Sequence, residues 1–474
     1  MAGLLLRNAT IHGAGTAPGV LDIRVSGQTV MEVGTALGRR PGEECLDCGG
    51  GAVLPGLTDH HLHLHAMAAA RTSVRCGPPA VTDRGDLAAA MAAAVPDESG
   101  WIRGRAYTES VAGDLDAAAL DQLRADRPVY IQHRSGALWM LNTAALTAIG
   151  VDDAIGAPAG HPGIERDAAG QPTGRFWRAD DWLRERLPRR PFPDLAPVGR
   201  ELLGYGITAV TDATPDLTEV GVAAISDAMR AGHLPASVHL LGVPLGTAIP
   251  STPGLTVGPY KIVLADSRLP TYPELAEMVT AAHGTGRPVA VHCVTREALV
   301  LLIAVLRDVG TLPGDRIEHA ALVPAELIAE LARLRLRVVT QPGFLPDRGD
   351  DFLRDLPAED HPDLYRCASL VRSGVPVGLS SDAPYGPLNP WHVMAAAATR
   401  RTASGRVSSP AERIGVIEAL DAYLAPPSDP GGEPARVQTG QEASLLVLHV
   451  PLASLPNAAP LRAVLTQGRL AMAE

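Results

Sequence analysis

Apolar and polar positions divide the chain into two kinds of region. Near both ends, short apolar runs broken by Gly, Pro and Ser are typical of strands, and they cover residues 3–12, 20–25, 29–33, 443–449 and 461–470. Between them, strand-like runs alternate with stretches of helical apolar spacing, such as 272–283 and 324–336. This order predicts a β-rich unit formed by both termini and an α/β region with a parallel sheet between them.

The central region contains as many strand-like runs as a closed barrel needs. These eight runs cover residues 52–57, 207–212, 237–243, 260–265, 288–293, 316–321, 337–341 and 375–381. Eight strands that alternate with helices form a (β/α)8 TIM barrel. We therefore predict a TIM barrel over residues 52–424 and a small β-rich domain made of residues 1–51 and 425–474.

A long insertion separates the first predicted barrel strand from the second. Residues 66–205 contain helical runs at 86–95 and 114–124, a strand-like run at 128–133 and a tract rich in Gly and Pro at 155–174. Because loops at the carboxyl ends of barrel strands build active sites, we interpret the insertion as a lid over that face. An independent domain with its own ligand is the alternative.

Composition and charge narrow the classes of function. Hydrophobic residues make up 46% of the 474 residues, which is enough for a sizeable core. The net charge of −11 and the lack of a basic tract argue against binding to nucleic acid. No run of 18 apolar residues and no signal sequence is recognisable, so we expect a cytoplasmic protein that binds no membrane. We expect a small molecule as the substrate, and a homodimer is the assembly that we consider.

A histidine-rich stretch ends the first predicted barrel strand, in the sequence LPGLTDHHLHLH at residues 54–65. Side chains alternate along a strand, so His61 and His63 face one way, His65 continues that face, and His60 faces the other. Two imidazoles about 7 Å apart along a strand can bind one divalent ion. A solvated histidine-rich loop that binds metal only incidentally is the alternative.

Further ligand-type residues lie at the ends of other predicted barrel strands, where catalytic groups of such barrels collect. They are Lys261 on the fourth strand, His292 on the fifth, His319 on the sixth and Asp382 after the eighth. Each has an ordinary alternative, since His292 could be a core histidine, His319 could pair with Glu318 and Asp382 could cap a helix. Their joint occurrence favours one metal site. We interpret the remaining candidates as bystanders, namely His60, His65, His283 and His392.

Lys261 is the one lysine among 41 basic residues, and the other 40 are arginine. It lies in an apolar strand, where burial would depress the pKa of its amine. A neutral amine can add CO2 to form a carbamate, which is an anionic ligand able to bridge two metal ions, and arginine cannot do this. Chance survival of a single lysine is the alternative.

These residues together resemble a known family. PGLTDHHLHL is similar to the PG-(apolar)-x-D-x-H-x-H motif of the amidohydrolase superfamily, and His292, His319 and Asp382 resemble its ligands from the fifth, sixth and eighth strands. The segments RPVYIQHRSGALWMLNTAAL and GQPTGRF resemble the YtcJ-like branch, which is amidohydrolase family 3 and includes N-substituted formamide deformylases. The chain departs from that branch at Ala137, where relatives often have a histidine, and at GQEASLLVL, which lacks a usual aspartate.

The resemblance implies a fold and a metal centre. The fold would be a (β/α)8 barrel with a β-sandwich built from both termini. His61 and His63 would bind one divalent ion, His292 and His319 a second, and carboxylated Lys261 would bridge the two. Asp382 would bind the first ion and act as the acid and base. Zinc is the metal that we expect with these nitrogen and oxygen ligands.

The resemblance also implies a reaction. We expect a metal-dependent hydrolase that cleaves an amide or other C–N bond of a small molecule by a metal-activated hydroxide. The insertion would supply the substrate-binding residues, for which the candidates are His133, Arg134, Trp139, Trp177 and Arg178. Two alternatives stay open, a deaminase of a cyclic amidine and a non-catalytic binding protein on the same fold.

Overall fold

A computed structural model describes residues 3–11, 20–151, 161–188, 192–265, 269–455 and 461–473. The chain divides into two compact units. The first unit comprises Met1–Leu64 and Asp194–Glu474, and the second comprises His65–Pro193. Part of the predicted tract at 155–174 lies outside the described residues. In the portion of the chain that is described, no helix is long and apolar enough to cross a membrane.

The N-terminal part of the first unit is made of strands: β1 (Leu4–Ile11), β2 (Leu21–Ser26), β3 (Thr29–Gly34), β4 (Glu44–Asp47), β5 (Ala52–Pro55) and β6 (Leu57–Leu62). The insertion that follows has these helices: α1 (Leu64–Arg71), α2 (Arg84–Ala93), α3 (Glu109–Ala112), α4 (Ala117–Leu123), α5 (Thr143–Ala148) and α6 (Asp180–Arg186). Its strands are β7 (Val74–Arg75), β8 (Ile102–Tyr107), β9 (Val129–His133), β10 (Leu138–Leu141), β11 (Ile164–Arg166) and β12 (Pro172–Trp177).

The chain then returns to the first unit, where strands and helices alternate. The strands are β13 (Ile207–Asp212), β14 (Ser237–Leu240), β15 (Leu255–Val257), β16 (Tyr260–Val263), β17 (Val289–Cys293), β18 (Arg316–His319), β19 (Arg337–Thr340) and β20 (Val377–Leu379). The helices are α7 (Ala196–Gly204), α8 (Glu219–Arg230), α9 (Tyr272–Gly284), α10 (Arg296–Val309), α11 (Ile328–Arg333), α12 (Phe344–Asp355), α13 (Ala368–Arg372), α14 (Pro390–Thr399) and α15 (Val416–Leu424). The last strands are β21 (Leu445–Leu448), β22 (Leu461–Thr466) and β23 (Arg469–Ala473).

Both termini contribute to one sheet, with the strand order β23-β22-β21-β5-β1-β2-β3 and with β4 paired to β1. Apolar residues from both ends of the chain share a buried core in this sheet, including Leu6, Ile23, Val447 and Leu465. The strand predicted over 52–57 is two strands, because β5 belongs to this terminal sheet and β6 pairs with β13 in another sheet.

Parallel strands form the rest of the first unit, in the orders β15-β14-β13-β6 and β16-β17-β18-β19-β20. Only Gly258 and Pro259 separate β15 from β16, and the Lys261 N–H donates to the carbonyl of Leu241 just beyond β14 (3.2 Å). At the opposite ends of the two sheets, the Asp382 N–H donates to the carbonyl of His61 (2.8 Å). The predicted alternation of parallel strands and helices is therefore confirmed as an α/β fold.

Local sequence signals explain why helices begin between these strands. Thr271 caps α9, and its side chain and that of Glu274 form a reciprocal capping box. Thr295 caps α10 through a hydrogen bond from the Ala298 N–H to its side-chain oxygen. The apolar face of α10 is buried through residues that recur at helical spacing, Leu299, Leu302, Ile303 and Leu306. Each helix thus returns the chain to the start of the next parallel strand.

The second unit has a mixed sheet with the strand order β11-β12-β10-β9-β8-β7. The predicted helical runs at 86–95 and 114–124 correspond to α2 and α4, and the predicted strand at 128–133 corresponds to β9. Leu87 of α2, Leu120 of α4 and Ile131 of β9 lie in one buried core of this unit. The insertion is therefore a compact body with its own sheet and core. Its role as a lid stays a prediction.

Gly56 is the residue at which the chain leaves the terminal sheet and enters β6. A Cβ at this position would lie 1.9 Å from Thr208 Oγ1 and 2.7 Å from its Cγ2. We expect Gly56→Ala to lower the free energy of unfolding by about 1–3 kcal/mol, because overpacking forces neighbouring groups apart. Gly204→Ala is the matched control, since no atom lies within 4 Å of its added Cβ. Urea unfolding of both variants measures the difference, and equal unfolding free energies would contradict the prediction.

Candidate metal centre

Strand β6 carries two histidines into the centre of the first unit. Its pairing with β13 is irregular, because Val210 lies opposite Asp59 whereas Asp212 lies opposite Leu62. The register also shifts between Ile207 and Ala209, where the extra residue lies on β13, so the two irregularities compensate over the length of the strand. His60 is fully buried, and burial is the main cause that lowers its pKa to about 3. His60 stays outside the cluster formed by the next residues.

His61, His63 and Asp382 form a compact group of metal-ligating side chains. One ligand atom from each residue lies within 4.8 Å of the other two. Asp382 Oδ1 is 3.2 Å from His63 Nε2 and 3.6 Å from His61 Nε2. His61 and Asp382 are buried and His63 is partly exposed, so the group is reachable from one side. Two imidazoles and one carboxylate are a donor set that suits zinc and similar divalent ions.

His319 and His292 extend this group. The ring centroids of His61 and His319 are 4.7 Å apart, and those of His292 and His319 are 4.4 Å apart. The second oxygen of Asp382 is 3.9 Å from His319 Nδ1. The fold thus brings together imidazoles from β6, β17 and β18 and the carboxylate that follows β20.

Lys261 lies on β16 within range of the same carboxylate. Its side chain is 6% exposed, and its Nζ makes no hydrogen bond to any residue that the structure describes. Burial lowers the pKa of the Lys261 amine, against the opposing charges of Glu318 and Asp382. Lys261 therefore lies close to the group, and its role as a ligand stays a prediction.

Hydrogen bonds at Nδ1 orient two of the histidines. His61 Nδ1 contacts a carboxylate oxygen of Glu318, and His63 Nδ1 lies 3.2 Å from Thr214 Oγ1. With the proton on Nδ1, each imidazole presents the lone pair of Nε2 toward Asp382 and the centre of the group. Glu318 pairs with His61, whereas the sequence analysis had considered it only as a partner of His319.

A third histidine, His319, also has a hydrogen-bond partner at Nδ1. His319 Nδ1 is 3.0 Å from Gln341 Oε1, and the Gln341 amide donates to Ser380 Oγ at 2.9 Å. The contacts of Gln341 and Thr214 with histidines were not predicted. Uncharged polar residues are common directly after strands, so their presence there does not indicate a functional site. Glu318 did offer a signal, since Arg316 and Glu318 place opposite charges on one face of a buried strand.

The charge states of the group suit metal binding. Burial lowers the pKa of His61 and of His319, which keeps both imidazoles neutral. Burial acts to raise the pKa of Asp382, but the nearby side chains of His63, His61 and His319 outweigh it and hold the pKa well below its usual value. Neutral imidazoles and an ionised carboxylate are the forms that bind cations.

Asp59, the aspartate of the motif, fastens the backbone of the group. Its Oδ1 accepts hydrogen bonds from the N–H groups of His61 (3.1 Å) and Ser381 (3.2 Å). Burial raises the pKa of Asp59 to about 7.

Two residues of the group have an unusual backbone conformation. His319 and Asp382 have positive φ values of 72° and 54°. Such backbone conformations cost energy in residues other than glycine and often accompany functional sites.

The predicted substrate-binding residues all lie in the second unit. Trp139 is buried there, and its indole N–H donates to Asp180 at 2.8 Å. The indole N–H of Trp177 donates to Glu165 at 3.0 Å, and the Trp177 side chain is 37% exposed. These contacts explain how both tryptophans are held within the unit. A contribution to substrate binding stays a prediction.

The other predicted substrate-binding residues lie near the end of β9 and after β12, and they are His133, Arg134 and Arg178. His133 Nε2 is 3.1 Å from Glu109 Oε2. The Arg134 N–H donates to a backbone carbonyl at 2.8 Å, and so does the Arg178 N–H at 2.8 Å. His283, predicted as a bystander, pairs with Asp315 at 3.1 Å.

Comparison with known proteins supports these observations. Residues 44–471 match the amidohydrolase family. The chain is 26% identical to N-substituted formamide deformylase of Arthrobacter pascens, over 90% of this chain and 89% of that protein. It is 24% identical to the putative amidohydrolase YtcJ of Bacillus subtilis (strain 168), over 81% of this chain and 80% of that protein.

Solved structures with the same fold include metal-dependent hydrolases. An uncharacterized metal-dependent hydrolase from Pyrococcus horikoshii OT3 superposes with a TM-score of 0.76 at 19% identity, covering 96% of this chain and 99% of that one. N-isopropylammelide isopropylaminohydrolase from Burkholderia multivorans ATCC 17616 gives a TM-score of 0.53 at 16% identity, covering 99% and 98%. The chain is therefore a hydrolytic enzyme acting on C–N bonds that belongs to the amidohydrolase family, in the branch of YtcJ and N-substituted formamide deformylase.

Proposed function

We propose that this enzyme hydrolyses an amide, formamide or related C–N bond of a small molecule, using two divalent metal ions held by the group around Asp382. The observation that carries the proposal is the convergence of one ligand atom each from His61, His63 and Asp382 within 4.8 Å. The names of the relatives support the bond type, because one is a deformylase of N-substituted formamides.

The residues present fit the proposed metals. His61 Nε2 and Lys261 Nζ are buried, and neither makes a hydrogen bond to a described residue. Buried polar atoms without partners are rare unless something else satisfies them. His61, His63 and Asp382 would hold one ion, His292 and His319 the other, and Lys261 as a carbamate would bridge them. Zinc is the metal that we propose for these donors. Bound ions of this kind polarise a carbonyl and lower the pKa of water.

Asp382 is the group that we propose to move protons. Its low pKa keeps the carboxylate ionised near neutrality, so it is available as a proton acceptor. The carboxylate would accept a proton from the attacking water and deliver it to the nitrogen of the leaving amine. His63 lies 3.2 Å from Asp382 Oδ1 and is partly exposed, so substrate would approach on its side.

We also propose that the parallel strands close into a (β/α)8 barrel and that the terminal sheet folds into a sandwich. Closure is supported at one junction by the short link between β15 and β16, and at the other by the hydrogen bond from Asp382 to His61. A shared core of residues from both ends of the chain supports two packed layers in the terminal domain. A barrel of this kind presents the carboxyl ends of its strands, and hence the metal centre, on one face.

The proposal is tested by metal analysis together with a substrate panel. Protein purified from metal-supplemented medium is expected to contain two metal equivalents. It should release an amine and a carboxylate from N-substituted formamides or N-acyl amino acids, or open the ring of lactams or cyclic imides to one product that carries a new carboxylate. Chelation should abolish turnover, and added Zn²⁺ should restore it. His61→Ala should remove metal and activity, whereas His392→Ala, at an exposed position on α14, should keep both. Ammonia release without a carboxylate would indicate a deaminase instead, and metal-free inactive protein would refute the proposal.

A further inference from the structure

Arg316 is a charged residue buried directly behind the metal centre. Its side chain on β18 is 2% exposed, and its Nε donates to Glu318 Oε1 at 2.6 Å. Glu318 is fully buried, and its other oxygen, Oε2, contacts His61 Nδ1. An unbroken series of hydrogen bonds therefore runs from a buried guanidinium through one carboxylate to a proposed metal ligand.

Two other arginines that are buried or partly buried, Arg400 and Arg287, have a different use. Arg400 donates to three backbone carbonyls, and Arg287 likewise donates to backbone carbonyls through Nε, Nη1 and Nη2. Such contacts fasten loops, which is a structural role. Among the described residues, Arg316 makes only its hydrogen bond to Glu318, and its Nη1 and Nη2 have no partner. Desolvating a guanidinium for one hydrogen bond is costly, so stability alone explains Arg316 poorly.

Geometry shows what the Arg316 contact controls. Glu318 has two cationic or proton-donating neighbours besides Arg316, since His61 contacts Oε2 and the Lys261 amine is close enough to interact with its charge. Arg316 occupies Oε1 and so fixes the rotamer in which Oε2 points at His61. Without Arg316, the carboxylate could turn toward Lys261 and leave His61 Nδ1 without an acceptor.

We propose that Arg316 is a positioning residue, which anchors Glu318 so that the Nδ1–H of His61 is held and His61 Nε2 is directed at the metal position. The proposal rests on the proposed function, because it takes His61 as a metal ligand. Residues that orient metal-bound histidines typically change metal affinity by about 10–100-fold when they are replaced.

The experiment compares Arg316→Met, Glu318→Gln and the double variant. The dissociation constant for Zn²⁺ is measured by competition with a chelator, and the ligand geometry is followed by the visible absorption of Co²⁺-loaded protein. Each single variant is expected to weaken one metal equivalent by about 10–100-fold and to shift the Co²⁺ spectrum. The double variant is expected to bind no more weakly than Glu318→Gln, because Arg316 acts through Glu318.

Arg24→Met is the matched control. Arg24 Nε and Glu43 Oε1 form an equally buried pair at 2.7 Å in the terminal sheet, with side chains 4% and 3% exposed. This control should lose stability and keep both the Zn²⁺ affinity and the Co²⁺ spectrum.

Three outcomes would overturn the proposal. One is that Arg316→Met weakens Zn²⁺ no more than Arg24→Met does. The second is that its effect adds in full to that of Glu318→Gln. The third outcome applies if Arg316→Met does not fold, when Glu318→Gln is the deciding variant. An unchanged Co²⁺ spectrum and an unchanged Zn²⁺ affinity of Glu318→Gln would then overturn the proposal. If the protein without any substitution binds no metal, the proposed function is refuted instead. Failure of the proposed function is therefore distinguishable from failure of the proposal on Arg316.

Discussion

Replacing Lys261 with arginine is expected to lower turnover by at least about 10²-fold, the scale of removing one electrostatic stabiliser from an active site, and to remove one of two metal equivalents. Arginine keeps the positive charge but cannot add CO2, so it cannot supply the bridging anion. The site offers the conditions for carbamate formation, because burial lowers the pKa of the Lys261 amine and its Nζ has no hydrogen bond among the described residues.

Two further variants separate carbamate chemistry from the bulk of the new side chain. Lys261→Gln is smaller and should lose the same metal equivalent. Lys261→Gly leaves space, and short carboxylic acids such as propionate are expected to restore part of the turnover by replacing the missing anion. Metal content per chain and steady-state rates are the measurements. Near-normal turnover with both metal equivalents in Lys261→Arg would refute the carbamate.

Replacing Asp382 with asparagine is expected to lower turnover by about 10²–10⁴-fold, the range of general acid and base contributions, while much of the metal stays bound. The amide oxygen of asparagine can still face His61 and His63, but it cannot take up a proton at neutral pH. The pKa of Asp382 is lowered, so in the unchanged enzyme its protonation should limit the rate only at acid pH. The variant should lose this acid limb.

Asp315→Asn is the matched control for this substitution. Asp315 is a buried aspartate just before β18, and its oxygens accept hydrogen bonds from the Val289 N–H (2.8 Å) and the Leu312 N–H (2.8 Å). Its replacement should cost stability and leave the acid limb in place. The comparison requires metal content, turnover and the pH dependence of the rate for both variants. An unchanged pH profile in Asp382→Asn would contradict its role as the proton carrier.

Strand positions were largely predictable because buried parallel strands are short apolar runs between turn signals. The predicted run at 207–212 coincides with β13, and the run at 337–341 contains β19. The prediction of a single strand over 52–57 was wrong. β5 and β6 follow each other almost directly and are both apolar at this point, so only their pairing partners distinguish them. β5 pairs with β1 and β21, whereas β6 pairs with β13, and those partners lie far away in sequence.

The ligands were predictable one by one, but their arrangement was not. His61, His63 and Asp382 were named from their positions at strand ends, and the structure brings them together. His61 and His63 meet in one group, as the predicted alternation requires, although the pairing of β6 with β13 contains register shifts. Packing likewise decided the partner of Glu318. Its carboxylate contacts His61 from β6 and not its chain neighbour His319.

The sequence by itself determined the donor chemistry of this protein. It places imidazoles, one carboxylate and the single lysine within strands or at their ends, and its motifs identify the family. Both features depend only on the order of residues along the chain. Only the tertiary structure decided which nitrogen of His61 and of His63 faces the centre, since Glu318 and Thr214 reach Nδ1 from separate strands or loops. Such contacts depend on register and on a buried environment, and neither is written in the spacing of residues.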